Sequence, residues 1–312
     1  MMLKEATRES YGKALAEFAE KYDLYVLDAD LSEATKTKIF AQKYPERFID
    51  CGIAEANMVS VAAGLAASGK TVFASSFAMF LAGRAFEQVR NSIGYPHLNV
   101  KLGATHAGLS VGEDGATHQC NEDIALMRTI PGMVVLNPAD PVEARLAVKA
   151  AIEHDGPVYL RFGRMPIEQI LPDDYKFEIG KGTVLKDGTD VAVIATGLMV
   201  GEALKAAEML EQKSISAAVI NISSIKPLDK KLILEYSIRC GALVTSEEHS
   251  IIGGLGSAVC EAVSEAAPCP VIRHGVEDMF GKSGAAQKVL DYYKLNAEGI
   301  VQKVLEAVSL KK

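Results

Sequence analysis

The feature that most constrains the fold is a regular alternation between two kinds of apolar segment. Short β-branched runs such as LYVLDAD (24–30) and TVFAS (71–75) alternate with longer stretches of helical period, among them 35–43, 54–67 and 78–93. Parallel strands need long crossover connections, which are usually helices, so this order is typical of a mainly parallel sheet. The pattern therefore predicts an α/β protein with helices on both faces of its sheets.

The alternation occurs in two series, which predicts two doubly wound domains. The first series ends with strand PVYLRF (157–162), and the second begins with strand DVAVIAT (190–196). The intervening residues 164–180 hold two prolines and little periodicity, as expected of a link. We place the first domain at 1–170 and a smaller second domain at 180–312.

One short motif suggests a phosphate-binding loop, but its context argues against that function. GLAASGKT (64–71) matches the pattern G-x-x-x-x-G-K-[ST]. Such a loop must follow a strand and open a helix, whereas this one ends a predicted helix and precedes a predicted strand. Gly69 is better explained as the cap of that helix, with Lys70 near the negative end of the helix dipole.

Composition narrows the possible partners and location. The net charge is −7 and no block of lysine or arginine occurs, so nucleic acid is not an expected partner. Apolar runs stop short of the roughly 20 residues of a membrane helix, and the N-terminal stretch lacks the features of a signal peptide. The five cysteines are scattered with no C-x-x-C pair, which predicts free thiols. We expect a cytoplasmic protein that binds no membrane.

Several residues capable of chemistry follow predicted strands. Glu55 falls in the first turn of a helix, after a strand and a glycine, at the sheet edge where α/β proteins bind ligands. Taken alone, a glutamate at this position usually does no more than complement the helix dipole. Phe77 and Phe80, in SSFAMF, lie three residues apart after the next strand and taken alone are typical of a core pair.

A glycine-rich loop supplies further candidates. The stretch ATHAGLSVGEDGATHQ (104–119) is polar, follows a strand and carries His106, Asp114 and His118. Core histidines normally lie in periodic elements, and this stretch has no apolar period. These three residues are therefore predicted to belong to a functional loop.

Together these stretches resemble the transketolase family of thiamine-diphosphate enzymes. The resemblance begins at EATRESYGKAL, includes GIAEANMVSVAAGLA, SSFAMF and VGEDGATHQ, and continues to IKPLDKKLIL and EEHSIIGGLGSAV. It covers nearly the whole chain but only the last two of the family's three domains. The family's first domain binds the diphosphate through a G-D-G…N motif and a divalent cation, and this sequence contains no G-D-G triplet. The resemblance implies a pyrimidine-binding domain followed by a smaller transketolase C-terminal domain, in the C-terminal subunit of a split transketolase.

The resemblance also implies cofactor-binding roles. Glu55 would be catalytic, hydrogen-bonding a pyrimidine nitrogen of thiamine diphosphate and sharing a proton with it. Phe77 and Phe80 would hold the pyrimidine ring by stacking. Asp30, in DADL, would lie beside the thiazolium ring.

The substrate would be bound by a second set of residues, which are Arg8, His106, Asp114, His118 and Arg164. The two arginines and His106 would grip the substrate phosphate, for which a planar guanidinium is suited. Asp114 would read the sugar C2 hydroxyl, and His118, the second catalytic residue, would contact hydroxyls of the donor. A family serine of the phosphate cluster falls near Ala34 or Thr35, so this sequence departs from the pattern there.

The implied enzyme transfers a two-carbon ketol unit between sugar phosphates. Its partner would be an N-terminal transketolase subunit that supplies the ligands for Mg²⁺ or Ca²⁺, with no metal ligand on this chain, in an α2β2 assembly about a two-fold axis. One alternative is the beta subunit of a 2-oxo-acid dehydrogenase, whose loop lacks the G-E-D-G-x-T-H run. Another is a fragment of a 1-deoxyxylulose-phosphate synthase, which differs around the first helix. A third, of another class, is a non-catalytic regulatory or assembly protein with the same fold, which would be expected to have lost some site residues.

Overall fold

The computed structural model describes residues 4–311, and its elements follow the predicted alternation. Within these residues the strands, numbered in chain order, are β1 (Lys4–Glu5), β2 (Leu24–Asp28), β3 (Phe48–Asp50), β4 (Thr71–Phe77), β5 (Val100–Thr105), β6 (Val134–Leu136), β7 (Val158–Arg161), β8 (Ile167–Glu168), β9 (Thr183–Lys186), β10 (Val191–Ala195), β11 (Ala217–Asn221), β12 (Ser224–Lys226), β13 (Leu243–Ser250) and β14 (Val271–Val276).

The α-helices of the same residues are α1 (Thr7–Phe18), α2 (Ser32–Thr35), α3 (Lys38–Lys43), α4 (Glu55–Ala67), α5 (Phe86–Gln88), α6 (Asp123–Arg128), α7 (Pro141–Glu153), α8 (Met199–Glu211), α9 (Lys230–Cys240), α10 (Leu255–Ala266), α11 (Ala286–Tyr292) and α12 (Ala297–Ser309). No helix within residues 4–311 combines the length and the apolarity needed to cross a bilayer.

The first sheet has the strand order β12-β6-β7-β5-β4-β2-β3 and is parallel throughout except at β12. One face is covered by α1, α3 and α7, where Tyr11, Phe40 and Phe73 belong to one apolar cluster. The other face is covered by α4 and α6, where Met58 and Ile124 belong to a second apolar cluster. Burial on both faces explains why these strands read as continuous apolar runs in the sequence.

The second sheet has the order β14-β13-β10-β11-β9 and is parallel except at β9. Helices α8 and α12 cover one face, and α9 and α10 cover the other. The predicted α/β fold, with helices on both faces of mainly parallel sheets, is confirmed. The domain boundary placed between residues 170 and 180 stays a prediction.

One strand joins the two domains and was not predicted. β12 follows β11 of the second sheet, yet it pairs antiparallel with β6 at the edge of the first sheet. The Lys226 ammonium at its end donates to the carbonyl oxygens of Arg128 (2.8 Å) and Ile130 (2.5 Å). Its three residues, SIK, include a single apolar side chain, so no apolar run marks them as a strand in the sequence.

Two predicted helices differ from the structure. The helix predicted at 35–43 is wrong as a continuous element, because Lys36 has a φ of +71° and separates α2 from α3. The helix predicted at 78–93 is helical but is wound mostly as π-helix, at Met79–Arg84 and Val89–Gly94. π-Helical turns often occur at functional sites, and this segment carries Phe80.

The structure places GLAASGKT as predicted, at the end of a helix. α4 ends at Ala67, Gly69 has a φ of +89°, and β4 begins at Thr71. Glycine adopts this left-handed conformation without steric cost. The Lys70 ammonium lies 3.0 Å from the Asp23 carboxylate, so the segment is a helix end with a surface ion pair.

Candidate functional site

The candidate residues converge at one edge of the first sheet. Strands β2, β3, β4, β5 and β7 are mutually parallel, so their carboxyl ends lie along the same edge. Glu55, Phe77, His106 and Arg164 each lie at or shortly after one of these strand ends. Arg8 lies in the first turn of α1, and its backbone N–H donates to the carbonyl oxygen of Gly163 just after β7, so α1 begins at this edge. Open α/β sheets bind ligands at this location.

Glu55 is the first residue of α4, and its side chain is only 1% exposed. Its Oε2 accepts a hydrogen bond of 2.8 Å from Nη1 of Arg84, whose own side chain is 52% exposed. The Arg84 guanidinium carbon also lies 4.6 Å from the centroid of the Phe80 ring. A buried carboxylate is costly unless it is paired, and Arg84 supplies the partner here.

Arg84 was not among the residues predicted from the sequence to belong to the site. It follows Phe80 by four residues on a helical segment, which places the two side chains on one face. That spacing was the available signal, but it does not show that the arginine reaches a glutamate 29 positions earlier in the chain.

Four candidate aromatic side chains pack against one another, and Arg84 links one of them, Phe80, to Glu55. The Phe77 and Phe80 rings stack with centroids 5.7 Å apart and planes 13° apart. His106 stacks on Phe77 at 3.8 Å, and His118 presents its edge to Phe80 at 5.5 Å. The two phenylalanines are thus not simply a core pair, because two candidate histidines pack against them.

His106 is buried and held in one orientation. Arg8 donates from Nη1 to its Nε2 at 2.9 Å, and its Nδ1 lies 2.9 Å from the Thr105 hydroxyl. Since arginine can only donate, Nε2 is the acceptor and the ring proton lies on Nδ1. Burial, followed by the charges of Arg8 and Arg164, lowers the pKa of His106 to about 3. The imidazole is therefore neutral at physiological pH.

We expect the His106 ring to stay neutral throughout the range from about pH 5 to pH 8. Its ring nitrogen and carbon-bound proton resonances, followed by NMR, should show no titration step there. The unfolded chain is the control, because its histidines titrate near pH 6.5. A step near pH 6.5 that is lost in a His106→Gln variant would contradict the expectation.

The two candidate arginines line a common cavity of about 580 Å³. Arg8 also donates to the Ala34 carbonyl oxygen at 2.9 Å, while its buried Nε has no hydrogen-bond partner among the residues described. Arg164 donates to the Val111 carbonyl oxygen at 2.6 Å and lies 3.4 Å from the Asp114 carboxylate. A buried donor without a partner beside a second guanidinium is suited to an anion.

Three other positions have contacts that the sequence did not predict. Asp114 contacts Arg164 and so joins the arginine cluster. Asp30 is exposed, has a φ of +60° and donates its backbone N–H to the Asp50 carboxylate at 3.1 Å. Thr35 is fully buried and donates its hydroxyl to Asp28 Oδ2 at 2.7 Å. Its hydroxyl is therefore not available to replace the family serine.

Asp28 itself was not among the candidates. It is buried at the end of β2, and burial raises the pKa of its carboxyl group to about 6. The hydroxyls of Thr35 and Thr37 and the N–H of Leu31 donate to it and oppose that shift. These hydrogen bonds hold the segment between β2 and α3, which includes the Ala34 carbonyl oxygen that Arg8 contacts.

Two models of known protein families match this chain. The model of the transketolase pyrimidine-binding domain matches residues 4–169, and that of the transketolase C-terminal domain matches residues 180–300. A putative transketolase C-terminal section from Methanocaldococcus jannaschii is 49% identical over 96% of this chain and 95% of its own length. A 6-deoxy-6-sulfo-D-fructose transketolase subunit from a Clostridium species is 44% identical over 97% of this chain and 95% of its own.

A solved structure is similar over the full length. It is a split-gene transketolase described as an inactive β4 tetramer, with a TM-score of 0.93 and 52% identity over 99% of this chain and 100% of that one. The family resemblance predicted from the sequence motifs is confirmed by these matches. On this evidence the chain belongs to the transketolase family and carries its pyrimidine-binding and C-terminal domains.

Proposed function

We propose that this chain is the C-terminal subunit of a thiamine-diphosphate-dependent transketolase that transfers a two-carbon ketol unit between sugar phosphates. It would be active only with a partner subunit that binds the diphosphate and its Mg²⁺ or Ca²⁺. The observation that carries the proposal is the buried Glu55 carboxylate, which Arg84 links to the stacked rings of Phe80 and Phe77.

The Glu55 carboxylate and the Phe80 ring fit the pyrimidine half of thiamine diphosphate. A carboxylate can share a proton with a pyrimidine nitrogen, and a flat ring can stack on Phe80. Arg84 already contacts both Glu55 and Phe80, so a planar, nitrogen-bearing group is accommodated there. The Arg84 side chain is 52% exposed, and its guanidinium would have to turn toward solvent for a ring to take that place.

Thiamine diphosphate, when bound, supplies a nucleophilic thiazolium carbon that takes up the two-carbon unit. The work of this chain is to hold a proton at Glu55, to stack the pyrimidine and to orient the sugar. His118, with its edge against the Phe80 ring, would contact the donor hydroxyls. Arg8 and Arg164 would bind the terminal phosphate in their common cavity, with neutral His106 fixing the orientation of Arg8. Asp30 would lie beside the thiazolium ring, and Asp114 would read the C2 hydroxyl.

The need for a partner is supported by the sequence and by the similar solved structure. The chain has no G-D-G triplet with which to bind the diphosphate and its metal. The protein that is 52% identical was solved as an inactive tetramer of beta chains alone. We infer that this chain also self-associates and becomes active as an α2β2 assembly with an N-terminal subunit.

Reconstitution tests this proposal. The chain is mixed with a candidate partner that carries G-D-G…N, together with thiamine diphosphate and Mg²⁺, and ketol transfer is assayed. Calorimetry should show tight cofactor binding only for the mixture. Submicromolar binding of thiamine diphosphate by the chain alone would contradict the partner requirement.

The same assay separates this function from the alternative enzyme. Oxidation of 2-oxo acids by the mixture, in place of ketol transfer, would favour a 2-oxo-acid dehydrogenase. The donors should include a sulfonated ketose, since one relative is named for that substrate.

Replacing Arg164 with alanine should reduce kcat/KM for a phosphorylated donor by about 10- to 150-fold, the loss of a charge-assisted hydrogen bond of about 1.5–3 kcal/mol. Hydroxypyruvate has no phosphate and should react almost normally. The matched control is Arg145→Ala, which removes an arginine paired with Glu17 on the surface. Equal losses on both donors would indicate a structural defect and would remove the basis for the assignment.

A further inference from the structure

The loop that carries Asp114 and His118 belongs to the first domain, yet the second domain holds it. Glu248, a buried residue of β13, accepts the backbone N–H of Ser110 with its Oε1. These residues are 138 positions apart in the chain. The Ser110 amide lies in the 3₁₀-helical turn Leu109–Asp114, so the contact is made inside the loop itself.

The backbone around this contact is shaped to admit the Glu248 side chain. Gly108 has a φ of +75°, a conformation that other residues rarely adopt. A Cβ atom at this position would overlap the Glu248 carboxyl group. The close approach therefore depends on glycine at position 108 for both its conformation and its lack of a side chain.

A second contact fixes the other end of the loop. Gln119 is buried and donates from Nε2 to the carbonyl oxygens of Leu109 (3.1 Å) and Lys282 (2.9 Å). Its amide thus bridges the two ends of the loop and a segment of the second domain. The same segment packs Ser283 against Gly115. The loop is thereby held between β13 and residues 281–286.

Glu248 is itself fixed to the first domain through its backbone. Arg161, at the end of β7, donates from Nη2 to the Glu248 carbonyl oxygen at 2.9 Å and from Nε to the Asp123 carboxylate at 2.8 Å. The positive charge of Arg161 stabilises the ionised form of Glu248, whereas burial raises the pKa of this carboxyl group to about 7. Arg161 thus holds the backbone of Glu248, while the carboxylate of Glu248 contacts the loop.

We infer that Glu248 is a positioning residue through which the second domain sets the geometry of Asp114 and His118. It acts through the Ser110 amide, which it accepts with its Oε1. The importance of Asp114 and His118 rests on the proposed function, whereas the fixing of the loop does not. This assigns a task to the C-terminal domain, which contributes none of the other candidate site residues.

Hydrogen–deuterium exchange on the isolated chain tests the fixing of the loop without any partner or cofactor. Glu248→Met keeps the side-chain length and removes the acceptor, while Glu248→Gln restores an acceptor oxygen without the charge. The matched control is Glu247→Met. Glu247 is equally buried, but its carboxylate accepts the N–H groups of Leu255 (2.7 Å) and Gly256 (2.8 Å) within its own domain.

In Glu248→Met, amides of residues 109–119 should exchange about 10- to 150-fold faster, as expected for the loss of a hydrogen bond to a charged group. Glu248→Gln should recover most of the protection, and Glu247→Met should affect residues 253–258 but not the loop. Unchanged exchange in 109–119, or an equal rise throughout the chain, would overturn the inference. If the methionine variant does not fold, Glu248→Asp, which withdraws the carboxylate by one methylene, should give the same local result.

The reconstituted enzyme supplies a second readout. Glu248→Met should raise KM for the sugar donor about tenfold or more. The affinity for thiamine diphosphate should change less, because Glu55 is paired with Arg84 outside the loop, and the loop meets the phenylalanine rings through the edge of His118. A loss of cofactor affinity as large as the rise in KM would show a general defect and overturn the positioning role. If no partner gives activity at all, the proposed function fails, and the exchange result still decides whether Glu248 holds the loop.

Discussion

Replacing Glu55 with glutamine should lower kcat of the assembled enzyme by about 10²- to 10⁴-fold, the usual contribution of a general acid–base group. Glutamine has nearly the same size and retains an oxygen that can accept from Arg84, so the packing of α4 should be preserved. It cannot share a proton with a pyrimidine nitrogen in the way a carboxyl group can. The loss should therefore appear in turnover and not in assembly, which sedimentation would measure.

The competing explanation is that Glu55 only complements the dipole of α4. Neutralising it would then cost about 0.3–1 kcal/mol of stability and leave turnover unchanged. The control is Glu298→Gln, which neutralises an exposed glutamate in the first turn of α12. A Glu55 variant that assembles and turns over at the wild-type rate, as the control should, would reject the catalytic role.

The residues that the sequence could predict share one property. Glu55, Phe77 and His106 each follow a strand, and the rule that parallel strands end at one edge brings them together without any knowledge of their contacts. The aromatic pair and the loop histidines then lie close to each other, at centroid distances from 3.8 to 6.3 Å. The pattern of strands and helices therefore predicted where these residues lie, but not which atoms they contact.

The residues that the sequence could not predict act through pairings between distant elements. Glu248 meets Ser110, and Arg84 meets Glu55, through side-chain geometry that leaves no periodic signal. Burial is equally hidden, because a glutamate in a strand gives no sign that the loop of another domain will cover it. The motif EEHSIIGGLGSAV supported the family resemblance, but nothing in it distinguished Glu247 from Glu248.

Local conformation was missed for a different reason. Lys36 breaks a predicted helix by adopting a positive φ, although lysine favours helices. Its carbonyl carbon and oxygen pack so closely against Gly12 of α1 that a Cβ there would overlap them. Tertiary packing thus overrides helix propensity at this position, and the effect cannot be read from residues 35–43 alone.

Replacing Arg161 with methionine should destabilise the chain by about 3–5 kcal/mol, the cost of leaving a buried charge unpaired. The Arg161 side chain is 3% exposed and that of its partner Asp123 is 0% exposed. Without the guanidinium, the one side-chain hydrogen bond left to the Asp123 carboxylate within residues 4–311 would be that from the Tyr159 hydroxyl, at 2.8 Å. The link from β7 to the Glu248 carbonyl oxygen would be lost as well. Urea unfolding of the isolated chain measures the loss.

Two further variants show whether the unpaired charge is the cause. Arg145→Met breaks an exposed pair whose side chains are each 47% exposed, and it should cost no more than about 1 kcal/mol. The double variant Asp123→Asn/Arg161→Met leaves no buried carboxylate unpaired at this position and keeps an acceptor for Tyr159, so it should be more stable than Arg161→Met alone. Two results would show that the ion pair does not stabilise the contact between the domains. One is a free energy of unfolding of Arg161→Met within about 1 kcal/mol of the wild type, and the other is a double variant less stable than Arg161→Met. The stabilisation of that contact would then have to come from β12 and the apolar contacts between the domains.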